Sequence, residues 1–223
     1  MTTALNINHL QFLVTGAFWT LVLSVMAFIG GGLFGFLVAL GRITPSRTVR
    51  IVTGAYVQLI QGTPLLVIMF IIYFGLPTLG LSITPLFAAG LSLTIYVSAY
   101  LGEIWRGCLE SVPKAQWEAA ECLALSKMQR MFKVILPQAV RIATPPTVGF
   151  SVQIVKNTSL ASVVGFVELT RAGQLINNSI FEPFLIYLIV AGLYFCLCFP
   201  LSALSQRLER RGLRMRATAK PAR

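Results

Sequence analysis

Residues 12–40 and 51–102 contain no Asp, Glu, Lys or Arg. A helix crosses the hydrocarbon core of a bilayer with about 20 mostly apolar residues. The first run therefore holds one span, near 16–40, and the second is too long for one. It divides at Gly75-Leu76-Pro77-Thr78-Leu79-Gly80 and again at Thr84-Pro85, giving spans near 51–74 and 86–104. Two further apolar stretches, near 142–167 and 183–206, bring the number to five. The chain is expected to be an all-α polytopic membrane protein. Its N-terminal segment (1–15) precedes a membrane domain (16–205) and a basic tail (206–223). No fixed-period repeat or low-complexity segment stands out.

Charge supports that reading and orients it. Charged residues make up 11% of the chain and hydrophobic ones 56%, whereas soluble domains carry roughly 25% charged residues. The net charge of +11 could suit nucleic acid, but the basic residues lie between apolar runs rather than on one soluble face, so no nucleic-acid partner is expected. They form three clusters: Arg42, Arg47 and Arg50; Arg106 to Arg141; and the tail from Arg207 through Arg210, Arg211, Arg214, Arg216, Lys220 and Arg223. Only Lys156 and Arg171 fall elsewhere. Cytoplasmic loops carry the excess of Lys and Arg. The clusters follow spans one, three and five, which places the N-terminus outside and the C-terminus inside. The opposite loops are nearly neutral, that after span four offering Glu168, Arg171 and Glu182.

Other residue types exclude chemistry. Asp is absent, His9 is the only histidine, and Cys108, Cys122, Cys196 and Cys198 show no CxxC spacing. Most hydrolase triads, metal sites and disulfide frameworks are thereby removed, and the thiols read as buried or inert. Residues 1–10 lack Lys and Arg, so no cleavable signal is evident and the first run serves as an anchor.

Polar interruptions mark where function could sit. Span four holds Pro145, Pro146 and Gly149, then Lys156-Asn157-Thr158-Ser159. A lysine at mid-membrane costs roughly 2.5–3.5 kcal/mol on insertion scales. Interrupted helices at that depth line a cavity or lie buried in protein, so this span is read as lining a polar pathway. The alternative is that Lys156 snorkels to an interface and Asn157-Thr158-Ser159 only end the helix. Span two holds Gln58 and then Gln61-Gly62-Thr63-Pro64, which either lines the same pathway or kinks the helix. Gly30-Gly31-Gly32 and Gly35 in span one suit close helix packing or, alternatively, a hinge. Glu103 and Arg106 share a helix face, with Trp105 as an interfacial anchor.

Residues 106–141 form the long basic loop. Ser111 and Pro113 suit a helix start, and Trp117, Ala120, Leu123 and Ala124 recur at helical spacing. A second short helix is expected from Ser126 to Ile135, ending at Leu136-Pro137. Two helices too polar to span make a docking surface, a membrane-surface element or a merely solvated loop.

Glu118-Ala119-Ala120, Leu123-Ala124 and Ile135-Leu136-Pro137-Gln138-Ala139 resemble the EAA loop of permease subunits in binding-protein-dependent ABC importers of type I. Gln61-Gly62-Thr63-Pro64-Leu65-Leu66, Tyr100 through Arg106-Gly107, and Lys156-Asn157-Thr158-Ser159-Leu160 are similar to signatures of the polar amino-acid branch. The resemblance runs from about Gly16 to Ser205. Two positions depart from it. Ala124 replaces a loop glycine, which suggests a negative φ or an altered turn, and Gln61 replaces an arginine.

The resemblance implies a bacterial inner-membrane permease working with a second identical or related permease, two cytoplasmic ATPases and an external solute-binding protein. It implies that Glu118, Ala119 and Ala120 dock on the ATPase, with Leu123, Ala124 and Leu125 at the turn. Gln61, Thr63, Pro64, Lys156, Asn157, Thr158 and Ser159 are the candidate pathway residues. The chain has no G-x-x-x-x-G-K-[ST] loop, so ATP and Mg belong to the separate ATPase and no cofactor or catalytic activity is expected here. Lys156 and the absence of an acid from residues 144–160 favour an acidic or neutral amino acid. A same-fold permease for another organic ion, such as an opine, and an ATPase-independent secondary transporter are the alternatives.

Overall fold

In the computed structural model, residues 5–218 are described, with side chains through residue 212. Residues 1–4, Lys220 and Arg223, and the side chains of Arg214 and Arg216, lie outside the described residues. The first helices are α1 (Ile7–Ile43), α2 (Arg47–Gly62) and α3 (Leu65–Phe70). A π-helical turn (Ile71–Gly75) leads into α4 (Leu76–Thr78), and α5 (Pro85–Glu110) and α6 (Lys114–Cys122) follow. Beyond them, α7 (Lys127–Gln129), a π-helical turn (Arg130–Ile135), α8 (Leu136–Asn157) and a 3-10 helix (Thr158–Val164) run into α9 (Leu169–Ile180) and α10 (Pro183–Thr218). Among the described residues, three helices are long and apolar enough to cross a membrane: α1, α5 and α10. Counting each of two bent pairs as one span gives five: α2 with residues 65–78, bent by 101°, and Lys127–Val164 with α9, bent by 49°.

The spans differ from simple rods in ways the side chains explain. The first helix starts at Ile7 rather than near residue 16. Asn6 caps it, its Oδ1 accepting from the His9 backbone N–H at 3.1 Å while the Asn6 N–H donates to His9 Nδ1 at 3.3 Å. Span two is not one straight helix over 51–74. It turns sharply at Thr63-Pro64, where both residues adopt extended ψ and the proline offers no N–H to the preceding turn. Span four is not interrupted at Pro145-Pro146; α8 runs through both, and the Ser205 hydroxyl donates to the Pro145 carbonyl at 3.0 Å. Its break comes later, in the 3-10 turn that ends at Gly165 with φ of 86°.

α5 is the axis of the bundle: 56% of its most apolar stretch is buried, against 28% for that of α1 and 17% for that of α10. α1 crosses it at glycine contacts. A Cβ on Gly31 would lie 2.4 Å from Val97, and one on Gly102 would lie 2.8 Å from Val38. The glycine run thus serves close packing within an unbroken helix. Leu23, Met69, Leu93, Val97, Ile154 and Ala161 form the largest buried apolar cluster around this crossing. Large exposed side chains such as Phe34, Leu37 and Leu188 form the outward surface, as expected where lipid is the solvent.

Two polar ties fix the remaining helices. Glu168, expected in an outer loop, is instead fully buried at the start of α9. Its carboxylate accepts from the backbone N–H groups of Thr170 and Arg171, each at 2.9 Å, and from the Tyr194 hydroxyl of α10 at 2.7 Å. Thr20 of α1 donates to it at 3.5 Å and accepts from Leu169 N–H at 3.2 Å. One carboxylate therefore joins α1, α9 and α10. Trp105, expected as an interfacial anchor, donates from Nε1 to Thr147 Oγ1 at 2.9 Å and pins α5 to α8. Two of the thiols, Cys122 and Cys196, are exposed rather than buried.

Candidate functional site

The basic loop folds as a short handle on a long lever. Ser111 does not open α6; it closes α5, its hydroxyl donating to the Cys108 carbonyl at 2.8 Å. α6 begins after Pro113, whose φ of −54° suits a helix entry. Its exposed side carries Ala115, Glu118, Ala119 and Cys122, spaced to share one face, and Leu123 beyond them is 74% exposed. Ala120 is buried at 2% exposure. Of the expected docking trio, only Glu118 and Ala119 offer side chains to a partner.

Of the two expectations at Ala124, a negative φ or an altered turn, the first is contradicted. Ala124 has φ of 53°. Its N–H donates to the Glu121 carbonyl at 2.9 Å, and the Leu125 N–H donates to the Ala120 carbonyl at 3.2 Å. This pair of bonds is a Schellman ending, which requires the left-handed conformation at that residue. Alanine adopts it here in spite of its Cβ. Ser126 then opens the next helix with a capping box, its hydroxyl accepting from Gln129 N–H at 3.3 Å.

That helix does not end at Leu136-Pro137. It continues as a single rod from Lys127 to Val164. The π turn explains the passage. The Leu136 N–H reaches back five residues to the Met131 carbonyl, and Pro137 then falls in the first turn of α8, where a missing N–H costs little. The handle is tied to this rod. Arg130 Nη1 lies 3.2 Å from Glu121 Oε2, and the guanidinium sits 5.9 Å from the Trp117 ring centroid. Leu109, Val112, Ile135 and Ala139, with Trp117 and Met131, pack as one apolar cluster beneath α6. α6 is thus packed against both the foot of α5 and the start of the long rod.

At the other end of the rod the two broken spans meet. Leu65 and Met69, just after the Thr63-Pro64 bend, share a buried cluster with Ile154, Ala161 and Val164. The candidate pathway residues flank this junction. Gln61 and Pro64 are exposed, and the half-buried Thr63 donates to the Leu59 carbonyl at 2.7 Å. Lys156 and Gln153, three residues apart, are both exposed on α8, and Gln153 Nε2 donates to Asn157 Oδ1 at 3.1 Å. Thr158 is buried and Ser159 half-buried; each hydroxyl donates to a carbonyl three residues back, at 2.7 Å. Those two hydroxyls serve the change from α-helix to 3-10 helix.

Sequence reasoning missed an aromatic stack beside Asn157. Tyr96 and Tyr100 of α5 have ring centroids 4.4 Å apart, and Phe150 of α8 stacks on Tyr100 at 5.5 Å and 13°. The Tyr96 hydroxyl interacts with the Asn157 side chain. The spacing of the tyrosines by four was visible, but no local pattern pointed to Phe150. Arg42 was also missed: it joins the Glu103–Arg106 pair from α1, its Nε 3.4 Å from Glu103 Oε2.

Residues 31–213 match the family model described as "Binding-protein-dependent transport system inner membrane component". The chain is 37% identical over 197 residues to the L-cystine transport system permease protein TcyB of Bacillus subtilis, covering 88% of this chain and 84% of the relative. It is 36% identical over 211 residues to the probable glutamine ABC transporter permease protein GlnM of the same organism, covering 95% and 98%. Its fold superposes on a chain from the crystal structure of an amino acid ABC transporter with histidines, with a TM-score of 0.88, 31% identity and coverage of 94% and 100%. The methionine ABC transporter MetNI, in an inward-facing conformation, shares the fold with a TM-score of 0.75 at 21% identity, covering 93% and 99%.

Proposed function

Because the chain belongs to the family of binding-protein-dependent transport system inner membrane components, we propose that it is the permease subunit of an ATP-driven importer for a polar amino acid. Acidic or neutral amino acids and their close analogues are the favoured solutes. The reading that it lies in a bacterial inner membrane, N-terminus out and α6 in the cytoplasm, draws on the family description and on the three basic clusters. ATP and Mg are bound by a separate ATPase chain, which docks on Glu118, Ala119 and Leu123. A second permease, identical or related, completes the pathway, and an external binding protein delivers the solute. Alternating access then exposes the site to each side in turn.

The observation that carries this reading is the handle itself: an exposed face of small residues on α6, strapped to a rod that runs to the junction of the broken spans. Small side chains let a partner helix or groove approach closely, and Glu118 offers a charge to a basic partner. For the solute, the supporting features are exposed Lys156 and Gln153 and the amide of Asn157, with the cystine and glutamine permeases among the relatives. Lys156 would meet a solute carboxylate. Exposed Gln58, Gln61, Gln153 and Lys156 on membrane helices also favour a wet or protein-covered setting over bare lipid.

The test is solute-stimulated ATP hydrolysis by the assembled importer with Lys156→Ala. Stimulation by an acidic or neutral amino acid should fall at least about tenfold, the effect of losing about 1.4 kcal/mol of solute contact. Unchanged stimulation would remove Lys156 from the pathway.

A further inference from the structure

At the end of the bundle that carries α6, a groove of about 510 Å³ lies between α1, α5 and the Lys127–Val164 rod. Along α1 it extends from Phe28 to Ile43, roughly 22 Å at 1.5 Å per residue. It is apolar throughout. The hydroxyls of Thr144 and Thr147 and the indole of Trp105 are its polar side-chain groups, and all are engaged inside the protein. Thr144 donates to the Val140 carbonyl at 2.7 Å, and Trp105 donates to Thr147 at 2.9 Å. An amino acid would find no free hydrogen-bonding side chain there, so this groove is not part of the solute pathway. A long, narrow apolar groove with no free polar side chain suits a thin acyl chain, and a helix of a second subunit is the other occupant that the test below separates.

The rim supplies a second requirement. Lys133 and Arg141 adjoin the lining residues Phe132 and Val140 and are exposed. Among the described residues neither lies in an ion pair, whereas Glu103 and Glu110 are taken by Arg42 and Arg106. Beside these lining residues along the rod, the unpaired charges are therefore positive. We propose that this groove seats an acyl chain of an anionic phospholipid, with Lys133 and Arg141 at its headgroup. Basic pockets between membrane helices recognise anionic headgroups in this way. The site bears on the lever because Met131 and Phe132 of its lining belong to the π turn under α6. A seated chain props the rod away from α1.

The test uses the permease assembled with its ATPase. It is reconstituted in nanodiscs of equal phosphatidylglycerol and phosphatidylcholine, transferred to mild detergent and weighed by native mass spectrometry. The wild-type complex should retain phosphatidylglycerol over phosphatidylcholine by about fivefold or more. Lys133→Gln with Arg141→Gln should bring the ratio to about one, and Ala143→Phe should remove the retained lipid by filling the groove. Equal retention by wild type, or an undiminished preference in the double variant, would overturn the headgroup assignment. Lipid kept by Ala143→Phe would overturn the groove, and a lipid-free copy of the permease lost on that substitution would assign it to a second subunit. Lys133 and Arg141 are exposed, so the double variant reports even if Ala143→Phe fails to fold.

Discussion

Replacing Ala124 with glycine should tighten the handle. Ala124 sits at φ of 53°, where an L-residue carries a penalty of roughly 1–2 kcal/mol. Glycine removes that penalty but adds freedom to the open state, which offsets roughly 0.4–1 kcal/mol. The net gain is about 0.5–1 kcal/mol, so the turn should open about two- to fivefold less often. The reporter is the Leu125 amide, whose bond to the Ala120 carbonyl at 3.2 Å closes the turn. Hydrogen–deuterium exchange of that segment in nanodiscs should slow by this factor in Ala124→Gly. Ala119→Gly, inside α6 where φ is helical, should speed it, because glycine there weakens the helix by up to about 1 kcal/mol. Unchanged or faster exchange in Ala124→Gly would refute the assignment of backbone strain to Ala124.

Three further outcomes follow from the packing. Gly31→Ala places a Cβ 2.4 Å from Val97, whereas Gly32→Ala meets only Trp105 at 3.8 Å. The first should lower thermal stability by about 1–3 kcal/mol and the second should leave it unchanged, as read by thermal unfolding in detergent. Glu168→Gln turns an acceptor of two backbone N–H groups and the Tyr194 hydroxyl into a group with its own donors to place; a loss of about 1–3 kcal/mol is expected in the same assay. Trp105→Phe deletes the bond to Thr147 and should cost about 1 kcal/mol.

Five apolar spans were legible because lipid demands length and the absence of charge, both of which are local properties. The bends were less so. Pro145-Pro146 looked like a break and was not: α8 runs through both, and the contact of this stretch with Ser205, 60 residues away, has no local sequence signature. Pro137 looked like a stop and was passed by a π turn, which has no sequence signature of its own. Glu168 looked like a loop acid. Its burial depends on Thr20 and Tyr194, which lie on helices far along the chain. At the handle, helical spacing found α6 and Ser126, but the inward turn of Ala120 depends on where the rod lies beneath it.

The most direct test is uptake of a polar amino acid into proteoliposomes holding the permease, its ATPase and its binding protein, with and without Glu118→Arg. Glu118 is exposed and makes no described contact that folding requires, so the variant should insert normally. The expected result is ATP-dependent uptake by the wild-type complex, and an inserted Glu118→Arg permease that neither retains the ATPase nor imports. Normal uptake by Glu118→Arg, or wild-type uptake without the ATPase, would contradict the reading of α6 as the coupling handle.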